Sequence, residues 1–500
     1  MSGVETEGPW ALPEGWCWAR LDTVAAVNPS TSFDTLKADT QVPFVPMAAV
    51  AEETGVIELS ARRQVRDVAK GYVRFMEGDV IFAKITPCME NGKVAPVVGL
   101  PGRYAAGSTE FHVFRPLAVD QRHLWYWLVG RSFRGRAKRN MSGSAGQLRV
   151  PVDYLRESLF PLAPLAEQRR IAARIDALFA EVSDGEAALA AARKGLETFR
   201  RALLKAAVSG ELTKDWREAN PPTETGGDLL ARIAKARAAG HRMRSSGEVR
   251  PLDADTQAEL PEGWAWGTVD EVADVFGGLT KNPEREKFGE QAPYLRVANV
   301  QMGRLDLAEM KMIGVTAGDR ERAALAFGDV LVVEGNGSVD QIGRCAVWRD
   351  EIPGCVHQNH IIKVRAKEPW LSEWLLTWLL SPSGRRAIER VASSTSGLHT
   401  LSISKIAMLP VPVVRQSEAA EILRRVSDAL AAVADAQALL DAEAADAARL
   451  RQSILKAAFA GRLVAQDPKD EPASVLLARL SNSSSPAAKR GRGRLSKIAS

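Results

Sequence analysis

Cysteine is scarce in this chain. The 500 residues hold four (Cys17, Cys88, Cys345 and Cys355) with no CxxC pair, a usage that fits reduced thiols in the cytoplasm rather than a disulfide framework. Long hydrophobic runs are also missing. The longest, such as Leu375 to Leu380, are far too short to span a bilayer, and Met1 to Pro13 is polar and acidic, unlike a secretory leader. A strong charge bias is absent too: the net charge of +5 and pI near 9.0 permit an anionic partner without demanding one.

What is present is ample core material. Hydrophobic content of 46% with 25% charged residues is that of an ordinary globular protein, and the length predicts about three to four domains. The chain also repeats itself. Leu12-Pro13-Glu14-Gly15-Trp16-Cys17-Trp18 returns as Leu260-Pro261-Glu262-Gly263-Trp264-Ala265-Trp266, a turn feeding a short strand. Glu77-Gly78-Asp79-Val80-Ile81 answers Phe327-Gly328-Asp329-Val330-Leu331, and the strand-like Thr109 to Arg115 answers Asn359 to Arg365. An apolar helix follows in each copy, around Leu124 to Val129 and Trp374 to Leu380. Then come polar loops, Ser142 to Gly146 and Ser393 to Gly397, read as flexible, and Pro-punctuated segments at Leu159 to Pro164 and Met408 to Pro412. A period near 250 is a duplicated module and not a solenoid.

Each module runs into a long helix. Ile171, Ile175, Leu178, Val182, Gly185, Leu189, Ala192, Leu196, Phe199 and Leu203 alternate spacings of four and three, a heptad seam. Adding 251 keeps the register from Ile422 to Ile454, and both helices stop at a glycine, Gly210 and Gly461. We expect the two to pair as an antiparallel rod; periodicity alone also allows a plain bundle or a homodimer. The expected segments are 1–165, a long helix 166–211, a connector 212–259, a second globular part 260–414, a long helix 415–462, and 463–500 with a short helix and an acid-free basic tail carrying Lys489, Arg490, Arg492, Arg494 and Lys497. The fold class is α+β: two similar globular domains of small mixed sheets and helices.

Catalytic motifs are not found. No G-x-x-x-x-G-K-[ST] loop occurs, and Gly335-x-Gly337 lacks a third glycine and a following helix. Asn220-Pro221-Pro222-Thr223 has Thr where amino-methyltransferases carry an aromatic, and lies in the connector, so it reads as linker. His357-x-x-His360 has no Cys or carboxylate at ligand spacing and reads as a pair of sheet histidines. The chain does not read as an enzyme. Its charges do point somewhere: Arg122, Arg131, Arg134, Arg136, Lys138, Arg139 and Arg149 fall in one stretch without Asp or Glu, next to a Gly/Ser loop. A weaker version recurs at Arg385, Arg386, Arg390, His399, Thr400 and Lys405. Basic side chains neutralise phosphates, while Arg, Asn and Gln at loop tips read base edges.

Two LPEGW-initiated modules, each with a Pro-rich exit and a long helix opening Glu167-Gln168-x-x-Ile171 or Glu418-x-x-x-Ile422, resemble the specificity subunits of type I restriction–modification systems. The likeness covers all but the basic tail; the second copy replaces the usual Glu-Gln with Glu418-Ala419. It implies two target recognition domains, each reading half of a bipartite double-stranded DNA site, separated by the helix pair. It also implies docking of two methyltransferase subunits and two restriction subunits, which hold S-adenosylmethionine, ATP and Mg; this chain holds no cofactor and no metal and touches no membrane. A helix from Ile171 to Leu203 spans roughly 50 Å at about 1.5 Å per residue, more than the ~34 Å of one DNA turn. For base reading the divergent loops supply Lys84, Thr86, Asn91, Lys93, Gln147 and Arg149, then Asn336, Ser338, Gln341, Arg344, His399 and Thr400. Arg134, Arg136, Lys138, Arg139, Arg386 and Arg390 are expected on phosphates. The alternative is a coiled-coil scaffold or regulator without sequence-specific DNA contact.

Overall fold

The computed structural model describes residues 8–144, 146–240, 259–336, 338, 341–395 and 398–483; the basic tail lies outside them. The chain forms two compact units. One is built from the chain up to Leu189 and from Ala442 onward, the other from Ala190–Asp441.

In the first unit Trp16 precedes and Trp18 stands on strand Cys17–Arg20, which pairs antiparallel with the Pro-bearing strand Leu159–Leu162. A four-stranded antiparallel sheet runs in the order Ala25–Val27, Phe111–Pro116, Val80–Ala83, Val94–Pro96. A second sheet runs Arg62–Gln64, Gln41–Val45, Tyr104–Gly107, Val73–Met76. Val80–Ala83 is buried at every position, which is why it reads as an unbroken apolar run. The helix Gln121–Val129 covers the central sheet; Asp120 caps it, accepting from the amides of Arg122 and His123.

The second unit repeats this scheme in register. Ala265–Thr268 pairs with Pro410–Val413, and the central sheet runs Ala273–Phe276, Ile361–Ala366, Val330–Val333, Cys345–Val347. Val80 stands opposite Phe114 as Val330 stands opposite Val364, a shift of 250 on both strands. The bidentate pair of Arg115 with Asp79, at 2.7 and 2.8 Å, recurs as Arg365 with Asp329 at 2.7 and 2.7 Å. Here each carboxylate also accepts a backbone amide, from Met76 or Ala326, so a fully buried charge is satisfied on all sides.

The long helices are Leu165–Ser209 and Gln416–Phe459, and each gives one part to each unit. In the first unit Arg451 reaches Glu186 at 2.9 Å while Arg170 reaches Asp470 at 2.6 Å, so the two chain directions oppose. In the second, Arg193 reaches Asp441 at 2.6 Å and Arg425 reaches Asp215 at 2.8 Å, again antiparallel. Burial along the seam is uneven. Ile171, Ile175 and Val182 pack with Ile454, Leu455 and Phe459, and Leu203, Leu204 and Val208 pack with Ile422 and Val426. Midway, Gly185, Ala192 and Glu443 are exposed and Phe199 is 49% exposed, so the continuous seam expected from periodicity is closed only toward its ends. Small residues leave an open groove of about 750 Å³ beside Leu178, Val182, Leu189, Leu450 and Ile454 in the first unit.

Each helix start is clamped by the module that precedes it. The indole N–H of Trp16 donates to Glu167 at 3.0 Å, and that of Trp264 to Glu418 at 3.2 Å. Gln168, also buried, accepts from the Asp120 amide at 2.7 Å and donates to the Ala163 carbonyl at 2.8 Å; Ala419 stands in its place in the second copy. Both helices end on a left-handed glycine, Gly210 (φ 74°) and Gly461 (φ 67°), against the Pro of an LPEGW turn: Pro261 for Gly210 and Pro13 for Gly461.

Candidate nucleic-acid interface

Behind the second strand of each central sheet the chain turns out and meets the loop rich in small residues. In the first unit Ile85 bridges Arg149, and Arg149 bridges Ser142. In the second, the same arrangement has grown into a sheet in the order Gly335–Asn336, Leu398–Thr400, Ser393–Thr395. The segment from Ser393, read as a loop, is therefore a strand up to Thr395. The pairings Ile85 with Arg149 and Gly335 with Thr400 are equivalent, as are Ser142 with Arg149 and Ser393 with Thr400. Backbone bonds fix the match: Val150 N to Lys84 O in one copy, Leu401 N to Glu334 O in the other.

This geometry brings Lys84, Thr86, Gln147 and Arg149 together, and separately Asn336, His399 and Thr400, with Ser338 two residues on from Asn336. Gln147 and Ser338 are exposed; Thr86, half-buried, donates to Glu90 at 2.9 Å. Asn336 and His399 are placed by their strands alone. Arg149 is held by Glu110 through two bonds of 2.9 and 3.0 Å, and the guanidinium keeps the Glu110 carboxyl below its usual range. Behind this strand His112 is buried, with one ring nitrogen 2.9 Å from the Val150 carbonyl and the other 2.9 Å from the Asn28 amide. Burial lowers its basicity.

Other expected contacts have intramolecular tasks. Arg134 is the clearest correction: it is buried, donating to Val129 O at 2.8 Å and to Glu90 O and Glu53, so it ties a helix to a loop and offers nothing to a phosphate. Asn91, exposed, donates to Glu52 at 2.8 Å, and Lys93 donates to the Met47 carbonyl at 3.2 Å. Arg344 is half-buried against Gln301 and the Val297 carbonyl, and burial lowers its basicity; Gln341, exposed, accepts from it at 3.4 Å. Arg136 lies over the Trp127 ring at 5.3 Å, and burial lowers its basicity too. Lys138 and Arg139 are exposed at the end of helix Arg131–Arg139, with Lys138 3.8 Å from Glu90. Arg386 and Arg390 are exposed on helix Pro382–Val391, and Arg386 donates to Ser383 at 3.3 Å.

The sequence motifs weighed for chemistry have structural partners. Arg415 donates to the carbonyls of Asn220 and Pro221, pinning that connector. His357 is buried with its Nδ1 3.0 Å from the Ala323 carbonyl, whereas His360 is exposed and 3.1 Å from Glu334, so the two do not share a ligand position. Among the described residues no group of three or more His, Cys, Asp or Glu is placed to hold a metal, and no helix is long and apolar enough to cross a membrane.

No protein-family model matches the sequence. The chain is 25% identical over 475 residues to the type I restriction enzyme EcoAI specificity subunit of Escherichia coli, covering 85% of this chain and 79% of that protein. It is 24% identical to the EcoKI specificity subunit of Escherichia coli strain K12, covering 92% of each. Among solved structures, a chain from a study of complex assembly and conformational transition of the type I R-M system superposes with a TM-score of 0.64 at 21% identity, covering 91% of this chain and all of that one. The HsdS subunit from Thermoanaerobacter tengcongensis gives 0.53 at 21% identity, covering 91% and 99%. By sequence over most of its length this chain is a relative of the type I restriction enzyme specificity subunits, and it shares their fold.

Proposed function

We propose that this chain is the DNA-reading subunit of a type I restriction–modification assembly, and that each unit reads one half of a bipartite duplex site. The observation that carries this is the pair of reader strands: equivalent in backbone register, different in side chain. Where one has Lys84, Thr86 and Arg149 in sequence, the other has Glu334, Asn336 and Thr400 at the equivalent backbone positions. Two copies of one frame holding different hydrogen-bonding groups at one edge suit two different base sequences. In this reading 1–165 and 260–414 are the recognition domains. Thr86, Gln147 and Arg149 face the first half-site, and Asn336, Ser338, Gln341, His399 and Thr400 the second. Lys138, Arg139, Arg386 and Arg390 position the duplex through its phosphates.

Chemistry then belongs to partners: two methyltransferase subunits using S-adenosylmethionine, and two restriction subunits using ATP and Mg, in the cytoplasm. The test is to compare genomic methylation with and without this gene. Disappearance of one bipartite adenine motif is expected; an unchanged methylome in a strain that expresses the protein overturns the reading.

A further inference from the structure

In the first unit a cleft of about 280 Å³ opens between the central sheet and strand Val73–Met76. Two cations line it, Arg74 and Lys84, together with Asn28, Thr31, Tyr72 and Thr109, and no Asp or Glu is among its lining residues. Neither cation has a carboxylate within ion-pair distance among the described residues; the Arg74 guanidinium lies 5.6 Å from the Phe33 ring. The nearby Glu110 is occupied by Arg149 through both oxygens. Two cations without a carboxylate partner, in a cleft lined also by hydroxyls, suit a tetrahedral oxyanion.

The duplicated frame supplies an internal comparison. Lys84 N bonds Glu110 O as Glu334 N bonds His360 O, so Glu334 occupies the place of Lys84. Asp79 accepts from the Met76 amide as Asp329 does from that of Ala326, which puts Ala324 where Arg74 stands. Opposite Leu331, in the position of Val113, is Lys363, whose ammonium donates to the carbonyls of Ala324 at 2.9 Å and Arg322 at 3.1 Å. The second unit thus has a carboxylate in place of one cation, a methyl in place of the other, and its own lysine turned onto the carbonyls of that strand-side segment.

We propose that the Arg74–Lys84 cleft seats a phosphate of the DNA backbone beside the first reader strand, and that this anchor belongs to the first unit alone. The proposal rests on the DNA-reading function above. It reassigns Lys84 from base reading to backbone positioning.

The test uses the full-length chain, a cognate and an unrelated labelled duplex, and titrations across about 50 to 200 mM salt. Arg74→Ala with Lys84→Ala is expected to weaken binding to both duplexes by the same factor, about tenfold, and to reduce the salt slope by about 1. Lys84→Arg is expected to retain binding. Unaltered affinity and slope overturn the proposal, and so does a loss confined to the cognate duplex, which makes Lys84 a base reader. Inorganic phosphate distinguishes the source of the anion: binding of phosphate alone that depends on Lys84 and that duplex does not displace also overturns it. If the wild-type chain shows no preference for its cognate duplex, the DNA-reading function fails, while the cleft is still judged on the salt slope.

Discussion

His123 and His357 are fully buried and low in basicity, pushed by burial to about 3 and about 4. Among the described residues neither ring nitrogen of His123 has a hydrogen-bond partner; the ring packs on Phe160 and Phe459. An unfolded histidine takes its proton near pH 6.5, well above these values, so the unfolded chain binds more protons in between. Stability contributed by the neutral rings is complete above pH 6.5 and is lost as pH falls toward 4. Denaturant melts between pH 7 and 4 should show this acid slope, and His123→Phe should flatten it for the first unit. An equal slope in the variant would contradict the assignment. Arg134 and Arg139 make a second residue-level contrast, five positions apart on one basic helix. Arg134→Ala should cost about 2 kcal/mol or more in unfolding free energy by stranding buried carbonyls. Arg139→Ala should leave the melt alone and weaken binding to every duplex alike, as salt-dependent anisotropy would record. Composition could not separate these two arginines. Which one turns inward depends on the Glu53 and Glu90 loops, distant in sequence.

At the scale of elements, the strands and helices were legible where burial imposes a pattern. Val80–Ala83 and Val330–Val333 announce themselves as apolar runs, and the helix stops at Gly210 and Gly461 by their place after the last heptad. The reader strands were not legible, because two- or three-residue pairings of Ser, Thr and Gly carry no periodicity; tertiary hydrogen bonds alone make them strands. The uneven burial of the long helices was likewise hidden. A heptad records which face a residue takes, not whether a neighbour covers it, and at Ala and Gly positions the facing backbone is not tightly packed. Gly461→Ala is expected to destabilise the first unit by about 1–2 kcal/mol from its positive φ alone, with more from the approach of Pro13. Gly210→Ala should do the same to the second unit against Pro261. Hydrogen exchange resolved by unit checks the locality; a uniform loss of protection would refute it. If the helices measure out the site, inserting seven residues at matched positions in both should lengthen the undefined spacer of the methylated motif and leave both half-sites intact. Methylome sequencing decides it.

For the molecule as a whole, the duplication was visible because the residues that hold the frame recur at nearly the same offset, 248 to 251: the Trp on its helix Glu, the Asp–Arg clamp, the glycine stop. The reversal of charge between Lys84 and Glu334 was equally present in the letters, but its meaning needed the backbone bonds that make the two positions equivalent. What no linear reading conveys is how the chain is apportioned. The second unit is one unbroken stretch, Ala190–Asp441, whereas the first needs residues from both sides of it. During synthesis, the module that leaves the ribosome first is therefore the one finished last. Until Ile454, Leu455 and Phe459 arrive, the indole of Trp127 and the ring of His123 lack part of their wall. Once Asp441 has cleared the ribosome the nascent chain carries a complete second reader and an unfinished first one, and a holdase that binds exposed apolar surface has its target in the first unit.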